Sequence, residues 1–282
     1  MRRTSWWRRR LLAALVCPVS LASVAVASPA HAGSTVARTG HEVRYVALGD
    51  SVASGLGAGD YEVTSGRCTR STNAYPALWA AEHHLAGPGF VFVACSGATT
   101  SDIVSTQLSR LDGSVTMVSV TVGANDVGFA DVLTECGLDG ERACLEHVRQ
   151  ARDDIDHKLP GRLDGLDRAI REKAPQARVV VLGYPHLFAE ETCDGQLVSR
   201  RGQAALNDAA DRLNAVTRHS AQAHGFVFAD VTHAFTGHEL CSSDPWIIAP
   251  SLFTPVSAYH PDATGQREGY LPALEAAAGG GS

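Results

Sequence analysis

The sequence predicts an α/β fold, a three-layer α/β/α, flavodoxin-like domain built on a five-stranded parallel sheet. Three observations lead there. Five short, valine-rich runs are apolar without alternation, as strands buried on both faces are. Helix-period stretches separate the later runs, and strand–helix alternation implies right-handed crossovers into a parallel sheet. Glycine-containing turns follow the first three runs, at the sheet edge where open α/β folds keep their chemistry.

The strand-like runs are 43–48, 90–94, 115–122, 178–183 and 226–231. Between the third and fourth, the charged and periodic stretch 143–173 reads as helix, broken near Pro160-Gly161. Between the fourth and fifth, 199–224 reads as another helix. A last helix is expected from Pro261 or Asp262 to about Ala278, with Pro261 suited to a first turn. The stretch 232–259 is long, carries prolines at 245, 250 and 255, and has little periodicity, which marks a covering or functional segment. Residues 279–282 read as a flexible tail.

The first 32 residues have five arginines and no acid, then an apolar stretch, then Ala30-His31-Ala32. This is the plan of a secretory signal, removed before Gly33. Arg2-Arg3 also fits a weak twin-arginine signal, so the export route stays open. Cys17 lacks a small residue before it, Leu15-Val16 standing there, so it is expected to leave with the signal rather than carry a lipid. Removal leaves 250 residues, 33–282, enough for one domain with its own core. No later stretch is apolar for long enough to span a bilayer. Losing five arginines lowers the basic count from 24 to 19 against 30 acids, a net charge of −11, which disfavours nucleic acid as a partner.

Six cysteines remain: Cys68, Cys95, Cys136, Cys144, Cys193 and Cys241. An even number in an exported chain points to disulfides, and no spacing resembles a zinc site. Six cysteines allow fifteen connectivities and arithmetic does not choose among them. Sequential pairing, 68 with 95, 136 with 144 and 193 with 241, is the expectation, since neighbouring pairs close loops without crossing the sheet.

The candidate chemistry sits at four separated points. Tyr45 to Ser51, YVALGDS, ends a strand at Gly49 and delivers the Ser51 hydroxyl to the sheet edge. Gly97 in ACSGATTSD follows the second strand, Asn125 in VTVGANDVGF follows the third, and His260 lies in SAYHPDATG. A serine hydroxyl is a weak nucleophile and needs a base within hydrogen-bond reach and donors for the oxyanion it creates. Gly-Asp-Ser alone is a common turn, and His260 is one of 12 histidines. Three turns opening at one sheet edge are a stronger signal. There the Ser51 N–H, the Gly97 N–H and the Asn125 amide are the candidate donors.

Together the four blocks resemble the SGNH branch of the GDSL esterase and lipase family, and most of all its secreted actinobacterial lipases and esterases with three disulfides. The resemblance spans Tyr45 to about Arg267. It implies an SGNH hydrolase fold, Ser51 as nucleophile, an oxyanion hole of the Ser51 N–H, Gly97 N–H and Asn125 side chain, and His260 as general acid and base. The sequential disulfides of that family agree with the pairing above. One departure matters: many members carry an acid three residues before the histidine, where this chain has Ser257. Some similar members work as serine–histidine dyads with a main-chain carbonyl in the acid's place, and here the Ser257 carbonyl is expected to face His260 Nδ1–H.

The expected function is a secreted, extracellular serine carboxylic ester hydrolase, esterase or lipase, with small-molecule or lipid esters as substrate, no cofactor, no metal and a monomeric state. The alternatives are a polysaccharide deacetylase or phospholipase with the same machinery, or a silent binding protein of the cell envelope. Phe129, Trp246, Ile247 and Phe253 are candidates for an acyl pocket, with core packing the competing explanation. There is no G-x-S-x-G elbow, and His83-His84 lacks an H-E-x-x-H context. Gly55 to Gly59 lacks the spacing of a nucleotide fingerprint, and Asp50 reads as an anchor for the serine turn.

Overall fold

The structure, a computed structural model, describes residues 43–189, 197–254 and 256–279. The chain divides into Met1–Gly40 and His41–Ser282. The expected signal segment with Cys17, and Cys193, Pro255 and residues 280–282, lie outside the described residues.

Five parallel strands form one sheet in the order β2-β1-β3-β4-β5: β1 (Tyr45–Gly49), β2 (Phe90–Phe92), β3 (Met117–Thr121), β4 (Arg178–Leu182) and β5 (Val227–Ala229). This is the doubly wound flavodoxin order, whose switch point lies between β1 and β3. The strands fall in the five expected runs, most of them shorter, with β1 starting two residues later and running one further, to Gly49.

Successive strand residues feed opposite faces, which is why the runs are apolar throughout. Tyr45, Ala47, Val180 and Leu182 belong to one core, with Tyr75 and Trp79 of α2 (Tyr75–Glu82) and Leu274 of the C-terminal helix. Val46, Leu48, Val118, Val120 and Val181 belong to the other, with Leu163, Leu166 and Ile170 of a helix against that face. Helices on both faces of one sheet complete the three layers.

The short helix α1 (Ser51–Ser54) follows β1, and α3 (Thr100–Asp102) follows the turn after β2. Three longer helices follow β3: α4 (Phe129–Leu138), α5 (Gly140–His157) and α6 (Leu159–Lys173). The break falls at Lys158, ahead of the expected Pro160-Gly161, because proline is tolerated in a first helical turn, where its missing N–H has no partner to lose. Helix α7 (Arg200–Ala223) spans the gap before β5, capped by the Ser199 side chain.

The last helical segment starts at Ala263, one residue past the expected Pro261 or Asp262. Pro261 is held in an extended bridge to Ile247, and the Asp262 N–H donates to Trp246 O at 2.9 Å. The Asp262 carboxylate then accepts the Gly265 N–H at 2.8 Å, and a π turn (Gly265–Tyr270) leads into α8 (Leu271–Gly279).

Two disulfides, not three, lie among the described residues: Cys68–Cys95 and Cys136–Cys144. The first ties the loop after α1 to the turn after β2, and the second joins α4 to α5. Cys241 is disulfide-bonded, while Cys193, its expected partner, lies outside the described residues.

Candidate active site

The serine turn is built tightly. Gly49 ends β1 at φ +132°, and a Cβ there would stand 2.7 Å from both Ala53 Cβ and Thr121 O, so only glycine fits. Gln107 takes both of its backbone polar groups: the Gly49 N–H donates to Oε1 at 2.8 Å and Nε2 donates to Gly49 O at 2.9 Å. Asp50 then caps α1, its Oδ1 accepting the Val52 N–H at 2.9 Å, which makes Ser51 the first helical residue. The amide of that residue has no carbonyl one turn earlier within the helix and so is available as a donor.

Asp50 Oδ2 accepts the Tyr184 hydroxyl at 2.6 Å, and the same hydroxyl oxygen accepts the Ala124 N–H at 3.3 Å. Tyr184, just after β4, thereby links the serine turn to the turn after β3. Burial pushes the Asp50 carboxyl up to about 6, against the opposing pull of Tyr184 and the α1 amides.

His260 arrives from the far end of the chain. Its Nε2 lies 2.8 Å from Ser51 Oγ. Its Nδ1 lies 2.9 Å from Ala258 O, so the principal acceptor is not the Ser257 carbonyl; that oxygen accepts the His260 backbone N–H at 3.2 Å. The reason is local. Tyr259 takes φ +64°, in the left-handed region, and this turns the ring toward the carbonyl two residues back instead of three. Both carbonyls favour the protonated ring, but burial outweighs them and pulls His260 below its ordinary 6.5.

A carbonyl oxygen can only accept, so Nδ1 carries the proton and Nε2 is left to accept from Ser51. Because activity requires neutral imidazole, kcat/KM is expected to rise with pH through an apparent pKa below 6.5 and to stay level through neutrality. A pH–rate profile checks this; a limb centred above 7 contradicts it.

Gly97, at φ +82°, sits in a turn closed by the Ala98 N–H donating to Cys95 O at 3.0 Å, and a Cβ on it would meet nothing within 4 Å. Its open side faces the cavity it shares with Ser51 and Asn125. Asn125 Nδ2 donates one hydrogen to Ala98 O at 3.1 Å, and its second hydrogen remains for a ligand. Asp126 fixes the spacing of these two turns, since its carboxylate accepts the Thr100 N–H at 2.9 Å and the Thr100 hydroxyl at 2.6 Å. Arg162 Nη1 donates to Asp126 O at 2.7 Å from α6.

Tyr184, Asp126, Gln107 and Ala258 were not among the residues expected from sequence. Asp126 adjoins Asn125, and Tyr184 follows a strand at the same sheet edge, so position could have flagged both.

A cavity of about 530 Å³ opens at Ser51 and His260, within the range of small-ligand sites. Its walls come chiefly from α4, through Phe129, Leu133 and Leu138, together with Leu187 and Leu197. Of the expected pocket residues only Phe129 lines it. Trp246 stacks on His238 at 3.5 Å and meets Phe235 edge-on, Ile247 is buried in the core, and Phe253 points to solvent. The bridge of Ile247 to Pro261 explains this: it turns the first part of the apolar run inward as support beneath His260. Among the described residues, no group of three or more His, Cys, Asp or Glu side chains could hold a metal ion.

Residues 47–268 match the GDSL-like Lipase/Acylhydrolase family. A lipase of Streptomyces rimosus is 50% identical over 234 residues, 83% of this chain and 86% of that protein. Lipase 1 of Streptomyces coelicolor is 49% identical over 235 residues, with the same shares covered. Among solved structures, an extracellular lipase from Streptomyces rimosus superposes with a TM-score of 0.80 at 50% identity, covering 83% of this chain and 99% of that one. Phospholipase A1 from Streptomyces albidoflavus NA297 gives 0.80 at 47%, covering 84% and 99%.

Proposed function

The chain belongs to the GDSL-like lipase/acylhydrolase family, and from that premise we propose that it is a carboxylic ester hydrolase, an esterase or lipase working through an acyl-Ser51 intermediate. The observation that carries the reading is the 2.8 Å hydrogen bond between Ser51 Oγ and His260 Nε2 at the edge of an apolar cavity. His260 Nε2 takes the hydroxyl proton as Ser51 Oγ attacks the ester carbonyl. The Ala258 carbonyl holds the ring and accepts from the imidazolium that forms. The Ser51 N–H, the Gly97 N–H and the free hydrogen of Asn125 Nδ2 receive the oxyanion. His260 then returns the proton to the departing alcohol, and the same ring activates the water that releases the acid.

A phospholipid ester is a second substrate class, favoured by the 47% identity to a phospholipase A1. The disulfides and the likeness to an extracellular lipase support removal of residues 1–32 and action outside the cell, and the bonded state of Cys241 supports a third bridge to Cys193; the working unit of this proposal is a single domain of 33–282, acting as a monomer.

Hydrolysis of p-nitrophenyl esters from acetate to palmitate tests the reading. Turnover is expected across the series, with the optimum at acyl groups longer than acetate, because the α4 wall offers apolar surface along the chain. No turnover on any ester would overturn it.

A further inference from the structure

Among the described residues, five of the nine large apolar side chains that stand exposed, Leu138, Leu197, Leu252, Phe253 and Val256, lie at or beside the mouth of the cavity. Leu138 is 76% exposed, Leu197 69% and Val256 72%, yet all three line the cavity. They belong to three segments far apart in sequence: the end of α4, the entry to α7, and the loop before His260. A Cβ added at Gly137 would touch Leu197 Cβ at 3.9 Å, so the α4 end and the α7 entry stand side by side.

Leu252 and Phe253 complete the lip. Both are 95% exposed, and the residues beside them, Pro250, Ser251 and Val256, line the cavity. They are the two central residues of a turn closed by the Thr254 N–H donating to Ser251 O at 3.2 Å. The turn satisfies its own polar groups: the Phe253 N–H donates to Ser251 Oγ at 3.2 Å, Thr254 Oγ1 donates to Ala249 O at 3.0 Å, and the two hydroxyls lie 2.8 Å apart. A turn that needs nothing from its surroundings and holds its two large apolar side chains in water is built to present them. From Pro245 to Pro261 the chain carries no Asp, Glu, Lys or Arg.

We propose that Leu138, Leu197, Leu252, Phe253 and Val256 form a docking surface for aggregated lipid, which seats the cavity mouth on a micelle or bilayer so that an ester enters without crossing water. Continuity with the cavity selects this occupant. A protein partner seated on the lip would block the route to Ser51, whereas a lipid surface supplies the substrate through it. Isolated apolar side chains on a surface are ordinary, but several drawn from separate segments to the mouth of one apolar cavity mark an interaction site. The inference rests on the ester-hydrolase reading above.

The test uses the mature, oxidised protein, with and without Leu252→Ser/Phe253→Ser, on p-nitrophenyl acetate in solution and in cosedimentation with phosphatidylcholine vesicles. Cosedimentation is run in the Ser51→Ala background so that the vesicles stay intact. Turnover of the soluble ester is expected to stay within about twofold, while vesicle partition falls at least tenfold. A Phe253→Trp variant is expected to show a blue-shifted emission when vesicles are added. Unchanged partition, no blue shift, or a lip-dependent dimer in sedimentation velocity would overturn the proposal. If the unsubstituted protein fails on soluble esters, the hydrolase reading itself fails; turnover with unchanged partition removes only the docking surface.

Discussion

Ser51→Ala is expected to lower turnover of a soluble ester by at least about 10⁴-fold, leaving only what binding and the oxyanion donors achieve. The substitution removes Oγ, the atom His260 Nε2 faces at 2.8 Å, and nothing else that the site depends on. The α1 cap comes from Asp50 rather than Ser51, and the candidate oxyanion amide at position 51 belongs to the backbone. The fold should therefore be unaffected, which circular dichroism and the melting temperature check. Activity surviving in a folded Ser51→Ala protein would mean that another group is the nucleophile.

Asn125→Ala is expected to lower kcat by about 10² to 10³ with little change in KM, because its amide meets negative charge that exists only once Ser51 has attacked. The same change removes the hydrogen bond to Ala98 O, which costs about 1 kcal/mol of stability. The turn nevertheless stays in place, since Asp126 still holds Thr100 and Arg162 still holds Asp126. Steady-state kinetics separates the two effects. A rise in KM at constant kcat would make Asn125 a ground-state contact, and the oxyanion hole would then need another donor.

The sheet and three of the four candidate positions could be read from sequence for a shared reason. Each strand is a contiguous apolar run, and Ser51, Gly97 and Asn125 each sit in the turn that ends one, so strand order alone brings them together. The acceptor for His260 Nδ1 was different. Whether Ser257 or Ala258 takes that role depends on the left-handed φ of Tyr259, and tyrosine seldom adopts it, so no residue type signals it.

The cavity wall is only partly legible in the sequence, which leaves acyl pocket and core packing open for Trp246, Ile247 and Phe253, because hydrophobicity does not say which way a side chain faces. Trp246 and Ile247 turn inward and Phe253 outward within one apolar run, the first two through the bridge of Ile247 to Pro261 and the last through the local turn from Ser251 to Thr254. The true wall carried a helical signal, with Phe129, Leu133 and Gly137 four residues apart on α4. Tyr184 is a further case. Its hydroxyl joins two turns by meeting Asp50 and Ala124; its place after a strand points to the site, but its partners follow only from β4 lying beside β3.

The most direct measurement is peptide mass spectrometry of the mature protein after reaction with a fluorophosphonate, beside His260→Ala. One phosphonyl adduct on Ser51, lost or strongly slowed in His260→Ala, is the result this account predicts, because only a hydroxyl activated by its base attacks the reagent. An adduct on another residue, or none on an enzyme that hydrolyses esters, would contradict the assignment of Ser51 as the nucleophile.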